Sequence, residues 1–330
     1  MNMSINIFRS RRLAAAVAFV ALTCATPSHA KSTNLWVAFD GGDGIGSYPS
    51  GQLRKSGMST PIHLSTFSDV RGLAFDKSHN LWAVVGCGKV VRFTAAQLKN
   101  LKHDPSPTPG VIITSSTVGC LNGCNFDNQG NLWAVDSVND SIDELSKAQL
   151  SAGSGDVTPN IVITSADLGS PNFVTFDKAG NAWVDSGFGA QLVEFSASQL
   201  TSGGSKLGTV LLSDDGSGTS LDGTGEIAFD KKGNLWVPNY SSNTVVEYAK
   251  AQLTTSGNPP PAVKLSSAVF SEPWGAVFDS KGDLVVMNFN DGTIAKFAAK
   301  QLKASGAPVP KVSVTGTETD NYQIIFGPAS

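Results

Sequence analysis

The chain has 330 residues, 41% of them hydrophobic, with 27 acidic against 24 basic residues and a formal net charge of −3. That balance, with no cluster of Lys and Arg, excludes a nucleic-acid binder. Beyond the N-terminus no apolar run approaches the roughly 20 residues of a membrane helix, so no membrane insertion is expected. Residues 1–30 read as a signal peptide. Arg9, Arg11 and Arg12 make a positive start, Leu13 to Cys24 is apolar but too short to span a bilayer, and Ser28-His29-Ala30 is a small-residue cleavage site. Ser10-Arg11-Arg12 also sketches a twin-arginine signal and Cys24 a lipoprotein site, but their neighbours suit neither. Cleavage after Ala30 predicts a secreted or periplasmic protein starting at Lys31; losing three arginines and no acid takes the net charge from −3 to −6.

The rest of the chain repeats. Asn34-Leu35-Trp36 recurs as Asn80-Leu81-Trp82, Asn131-Leu132-Trp133, Asn181-Ala182-Trp183 and Asn234-Leu235-Trp236, fading to Asp283-Leu284-Val285. A Gln-Leu pair follows each anchor, from Gln52-Leu53 to Gln301-Leu302. A Phe-Asp pair precedes five of the six, as in Phe75-Asp76 and Phe229-Asp230. Each unit reads as four short strands. In the fifth, strand a spans residues 227–230, b 235–238, c 244–248 and d 262–265. A glycine turn joins a to b, and a Gly/Pro loop leads from the Gln-Leu pair to d. Four strands per roughly fifty residues signify propeller blades, with Trp and Phe as inter-blade core. The recurring Asp belongs to the hairpin turn, where it bonds backbone N–H groups.

The ends fix the count. The mature N-terminus starts directly on a strand b, and residues 322–328 supply a spare strand a. The expected fold is therefore all-β: one six-bladed β-propeller over residues 31–330, closed by the C-terminal strand joining the N-terminal blade, which removes open sheet edges. A closed ring has no obligatory interface, so a monomer is expected.

Strand a is innermost, and its start shares one rim of the central channel, here the top face, with the end of strand b. The six starting residues are Arg71, Asn122, Asn172, Gly225, Trp274 and Tyr322. Just after them come Gly72, Gly123, Phe173, Glu226, Gly275 and Gln323. Strands b end on Asp136, Ser186, Asn239 and Asn288. A concave mouth with convergent polar and aromatic groups is the natural ligand site. The candidate ligand-binding residues are Arg71, Asn122, Asp136, Asn172, Glu226, Asn239, Trp274, Asn288 and Tyr322.

The unit running from Asn122-Gly123-Cys124 to Trp133-Ala134-Val135-Asp136 resembles the repeats of NHL-type propellers, of the gluconolactonase and senescence-marker family, and of virginiamycin B lyase. The likeness covers nearly all of the mature chain as a pattern. Resemblance to gluconolactonases implies a divalent cation, Ca²⁺ or Mg²⁺, held in the channel by Asn and carboxylate groups. Asn122 matches one such ligand and Asn172 sits one blade on. Gly225 stands where the next is due, with Glu226 one residue late and turned away by strand alternation; Asp136 and water would complete the set. Resemblance to the lyase implies a channel His, but His63, His79 and His103 fall in outer or turn positions.

Three constellations remain. The loop from Asp214 to Glu226, read from Asp215, places oxygens at positions one, three, five and twelve as an EF-hand does, but Ser220 stands where glycine is needed. Gly42-Asp43-Gly44-Ile45-Gly46 is a blade-one b–c loop rather than a phosphate loop. Cys87, Cys120 and Cys124 fall on neighbouring blades; in an oxidising compartment Cys87–Cys120 is the preferred disulfide and Cys120–Cys124 the alternative. The expected function is a secreted binding or scaffold propeller that recognises a small molecule, glycan or protein through its top face and channel. The alternative is a divalent-metal-dependent, lactonase-like hydrolase.

Overall fold

A computed structural model describes residues 34–39, 42, 44–187, 190–315, 319 and 321–330. The expected signal peptide, its cleavage site and Asp43 lie outside the described residues. The described residues form six twisted antiparallel sheets in a ring. Blade one is Asn321–Gly327, Asn34–Phe39, Ile45–Pro49 and Ile62–Leu64, from inside outwards. Its first two strands pair antiparallel, Trp36 opposite Ile325 and Leu35 opposite Phe326, so the C-terminal strand closes the ring as expected.

The turns explain the repeat. Asp76 Oδ1 accepts the N–H groups of Ser78 and Asn80, both at 2.9 Å, and Oδ2 accepts the Asn80 amide at 2.8 Å and the Trp82 indole N–H at 3.1 Å. One carboxylate thus saturates the hairpin's donors and orients the core tryptophan. Asp127, Asp177 and Asp230 hold the equivalent Asn in the same way. In blade six the Asn is replaced by Asp283, which would repel Asp279; Lys296 Nζ lies 2.6 Å from Asp279 and 3.5 Å from Asp283 and offsets the repulsion.

Each Trp then packs edge-on against the Phe of the next blade. Trp36–Phe75, Trp82–Phe126, Trp133–Phe176, Trp183–Phe229 and Trp236–Phe278 have centroids 5.7, 6.4, 6.4, 6.3 and 5.9 Å apart. Blade six has Val285 instead, packed in one cluster with Phe326 of the closing strand. These buried aromatic contacts couple blade to blade.

Two features depart from the sequence reading. The Gln-Leu pairs sit in short helices, Ala95–Lys99 and Lys147–Ala152, or in 3-10 turns, rather than leading straight into loops. Gln97 explains why: its Oε1 accepts the Thr94 N–H at 2.8 Å while Nε2 donates to Thr108 O at 2.6 Å, so one amide caps the helix and clamps the outer loop. The outer loops also strap each blade to the one before. Ser154 Oγ accepts the Ile112 N–H, and Gly155–Asp156 adds a parallel strand to blade two; Ser56, Ser256 and Ser305 act likewise on their neighbours. Outer edges that would otherwise be open are covered.

Candidate functional site

The bore is filled by the chain itself. Gly123 donates its N–H to Asn172 O at 2.8 Å, and a Cβ on Gly123 would stand 2.7 Å from that oxygen. Glu226 N–H reaches Trp274 O at 2.7 Å, and a Cβ on Gly225 would lie 2.9 Å from the Trp274 carbonyl carbon. Gly123 and Gly225 therefore let inner strands touch. This contact also corrects the expected direction of Glu226. Strand a of blade five is reduced to Ala228–Phe229. Before it Gly225 donates its N–H to Pro238 O of its own blade at 3.0 Å while Glu226 turns to blade six, and regular alternation stops there. Glu226 points into the bore: its Oε2 accepts the Ile324 N–H of the closing strand at 2.9 Å. Gln323 crosses the other way, accepting the Leu73 N–H at 2.7 Å and donating to Cys124 O at 3.3 Å.

Burial drives the acid–base character of this plug. Desolvation pushes the Glu226 carboxyl well above the usual range, against the bonds from Ile324 and Gln323, and nearby Asp185 adds to the rise. Asp185 is itself fully buried, and desolvation raises it to about 8 although Phe173 N–H, the Asn172 side chain and Thr224 bond to it. Desolvation, then the Glu226 charge, raises the Cys124 thiol too, so this free cysteine is an inert core group. The sequence reading passes over Asp185. Its signal was a polar residue in a strand-b column otherwise filled by Ala38, Val84, Val135, Pro238 and Met287.

The residues ending strands b serve their own blades. Asp136 is buried, and its carboxylate accepts N–H groups of Cys120 at 3.0 Å, Val138 at 3.0 Å and Asn139 at 3.1 Å, that of Gly119, and the Asn139 amide at 2.8 Å. Burial opposes ionisation, but these backbone bonds prevail and hold its carboxyl below the usual range. Asn239 takes the Asp222 N–H at 3.1 Å and gives to Ser220 O at 3.1 Å. Asn288 gives to Val269 O at 2.7 Å. Each ties the loop entering strand a to the sheet, away from the axis.

Asn122 is buried; its Nδ2 donates to Pro171 O at 3.4 Å and its Oδ1 has no partner among the described residues. Of the four candidate metal ligands, the Asp136 and Glu226 carboxylates are taken up by backbone N–H groups and the Asn172 amide bonds Asp185, while the Asn122 Oδ1 alone stands without a partner among the described residues. They do not fit a shared cation. Among the described residues no three His, Cys, Asp or Glu side chains gather in a metal-holding arrangement. The acidic loop is likewise self-satisfied: Asp214 accepts N–H groups of Gly216 and Gly218 at 2.9 Å, with Ser220 and Leu221 N–H also bound, and Glu226 has left the loop for the bore.

What the mouth does present is aromatic. Trp274, half-buried, stands at the centre of a group of rings: Tyr240 at 5.5 Å, Phe289 and Tyr322 at 5.9 Å, and Phe173 at 6.1 Å. They come from blades four, five, six and one. The arc formed by blades two and three is polar. There Arg71 Nε binds Asp69 at 2.9 Å, its Nη1 approaches Cys120 Sγ at 3.2 Å, and its guanidinium carbon lies 5.9 Å from the Tyr322 ring. Cys87 and Cys120 are joined in a disulfide with Cα atoms 4.1 Å apart, bridging blades two and three at this rim. The sequence reading reached Trp274, Tyr322 and Phe173 through the strand starts. It passed over Tyr240 and Phe289, which stand one residue past the ends of strands b.

No family model matches the chain, and no curated protein matches it in sequence. Solved structures do share its fold. A protein of unknown function from Bacteroides caccae is 10% identical with a TM-score of 0.59, and 88% of this chain covers 97% of that one. A chain of a nidogen/laminin complex is 15% identical with a TM-score of 0.57 over the same shares, 88% and 97%. A streptogramin B lyase is 14% identical with a TM-score of 0.50, covering 77% of this chain and 72% of its own. At these identities the likeness establishes the six-bladed propeller and nothing finer.

Proposed function

We propose that this protein is a secreted binding propeller that takes its ligand on the top face, at the aromatic mouth of the closed bore. The observation that carries the reading is the five-ring group around Trp274. No repeat requires it: the five other tryptophans are core residues at 0–2% exposure, whereas Trp274 is half-buried at the rim. The partly exposed rings of Tyr240, Trp274, Phe289 and Tyr322, resting on the buried Phe173, offer apolar area on a rigid base, the composition of a recognition surface. A small molecule, glycan or protein segment would bind on this surface rather than inside the bore, which Glu226 and Gln323 occupy. The protein acts as a monomer, exported by its signal peptide. The lactonase-like alternative would require Glu226 and Asn172 to leave their partners, and no step through a cation follows from their positions.

A thermal-shift panel of neutral sugars, amines, carboxylates and short peptides tests the reading, because a ligand that binds only the native state raises Tm by mass action. The expected result is a stabilising ligand whose effect vanishes in Trp274→Ala, while the unliganded Tm of that variant stays within a few degrees of the native value. A ligand that stabilises Trp274→Ala as well as the native protein would place binding elsewhere and sink the reading.

A further inference from the structure

The aromatic arc of the mouth carries two acids that nothing neutralises. Glu272 precedes Pro273 and Trp274 and holds a left-handed backbone, φ 55°, a region that a residue with a Cβ enters only at a cost. Two bonds fix it there: its N–H donates to Asn243 Oδ1 at 2.7 Å, and its carbonyl accepts the Phe289 N–H at 2.8 Å. The strained residue is therefore wedged between the turn that carries Tyr240 and the one that carries Phe289, while its carboxylate has no hydrogen bond or ion pair among the described residues. Asp222 flanks Tyr240 in the same way. Its carbonyl accepts the Ser241 N–H at 3.3 Å, Gly223 O accepts the Tyr240 N–H at 2.9 Å, and its carboxylate too is unpaired.

On the whole face acids outnumber bases. Its loops bear Asp140, Asp167, Asp214, Asp215 and Asp291 besides these two acids. Its basic groups among the described residues are already engaged: Arg71 with Asp69, Lys264 with Thr219 at 2.6 Å, and Lys89 against the Phe67 ring at 5.7 Å. Such a surface repels anions. Aromatic ring faces and unpaired carboxylates together attract one kind of group, a cation with a weakly hydrated, apolar shell.

We infer that the Tyr240–Trp274–Phe289 arc binds a small organic cation of the alkylammonium class, with its charge over the rings and Glu272 as its counter-ion. This rests on the mouth being the binding site. The ammonium head contributes cation–π attraction and its alkyl groups cover the rings. The backbone bonds of Glu272 to Asn243 and Phe289 hold its position beside the rings.

Choline chloride and its neutral isostere 3,3-dimethylbutan-1-ol, titrated into the full-length mature protein, test this by tryptophan emission and Tm. Choline is expected to give a saturable change, with the isostere weaker by about tenfold, the factor that loss of a cation–π and counter-ion contact implies. Trp274→Leu should abolish the choline response. Glu272→Gln should weaken choline by about tenfold and leave the isostere unchanged, with both unliganded variants melting as the native protein does. Equal binding of choline and the isostere, lost in Trp274→Leu, would overturn the cation inference and leave the mouth as the site. No response to either, in emission or Tm, while a panel compound binds through Trp274, would also overturn it.

Discussion

The two faces of the ring differ in how much they repeat. On the bottom, five hairpins are variations on one turn: an Asp carboxylate accepts the backbone N–H groups and a neighbouring Asn or its substitute. On the top the blades diverge, and only Asn122 and Asn172 share a residue type among the strand starts. The strand starts are Arg71, Asn122, Asn172, Gly225, Trp274 and Tyr322, and the rings of the mouth come from four blades. The repeated face is frame and the unrepeated face is site. A group that must do one job in every blade is held to one residue type, whereas a ligand touches each blade once.

The largest effect expected lies in closure. Deleting residues 321–330 removes the inner strand of blade one and the partners of Glu226, Leu73 and Cys124, so the cooperative thermal transition should be lost. A deletion variant that melts like the native protein would separate frame from closure. Next, Trp133→Ala should cost about 3–5 kcal/mol by chemical denaturation, as buried aromatic truncations do, whereas Tyr240→Ala at the mouth should cost less than about 1 kcal/mol. Similar costs for the two would break the distinction between frame and site.

The plug gives a pH test. Asp185 titrates at about 8 in the folded protein, above the range of an unfolded carboxyl, so the folded state holds a proton that the unfolded chain releases. Stability is then full below about pH 4 and falls as pH rises towards 8. Tm should decline across that window, and Asp185→Asn should flatten much of the decline; a slope unchanged in Asp185→Asn would assign the proton elsewhere. Smallest of all, millimolar Ca²⁺ or Mg²⁺ should leave Tm within about a degree, because the Asp136 and Glu226 carboxylates already accept backbone N–H groups. A saturable rise lost in Asn122→Ala would restore a cation to the bore.

How much was legible follows the same division. Blade number, closure, hairpin Asp and the Trp–Phe core could be read because each rests on contacts within a unit or between equivalent positions of adjacent units. A pattern seen in one copy is checked by the others. The short helices at the Gln-Leu pairs were hidden because the cap is an amide closing on its own backbone, with no apolar periodicity to betray it. Glu226 was read as turned outward, since alternation holds only where a strand follows its own sheet. Before Ala228 the ladder is irregular: Gly225 bonds Pro238 of its own blade and Glu226 bonds Trp274 of blade six.

The sequence by itself determined the frame: six units, their register, the closing strand and the rim on which the variable residues stand. Only the tertiary structure decided what that rim is. It brought Tyr240, Trp274, Phe289, Phe173 and Tyr322 together across four blades, buried Asp185 and Glu226 in the bore, and left Glu272 strained and unpaired beside the rings. Periodicity encodes contacts that recur once per blade. A mouth converges on a single axis, where residues far apart in the chain meet without a repeat to announce them.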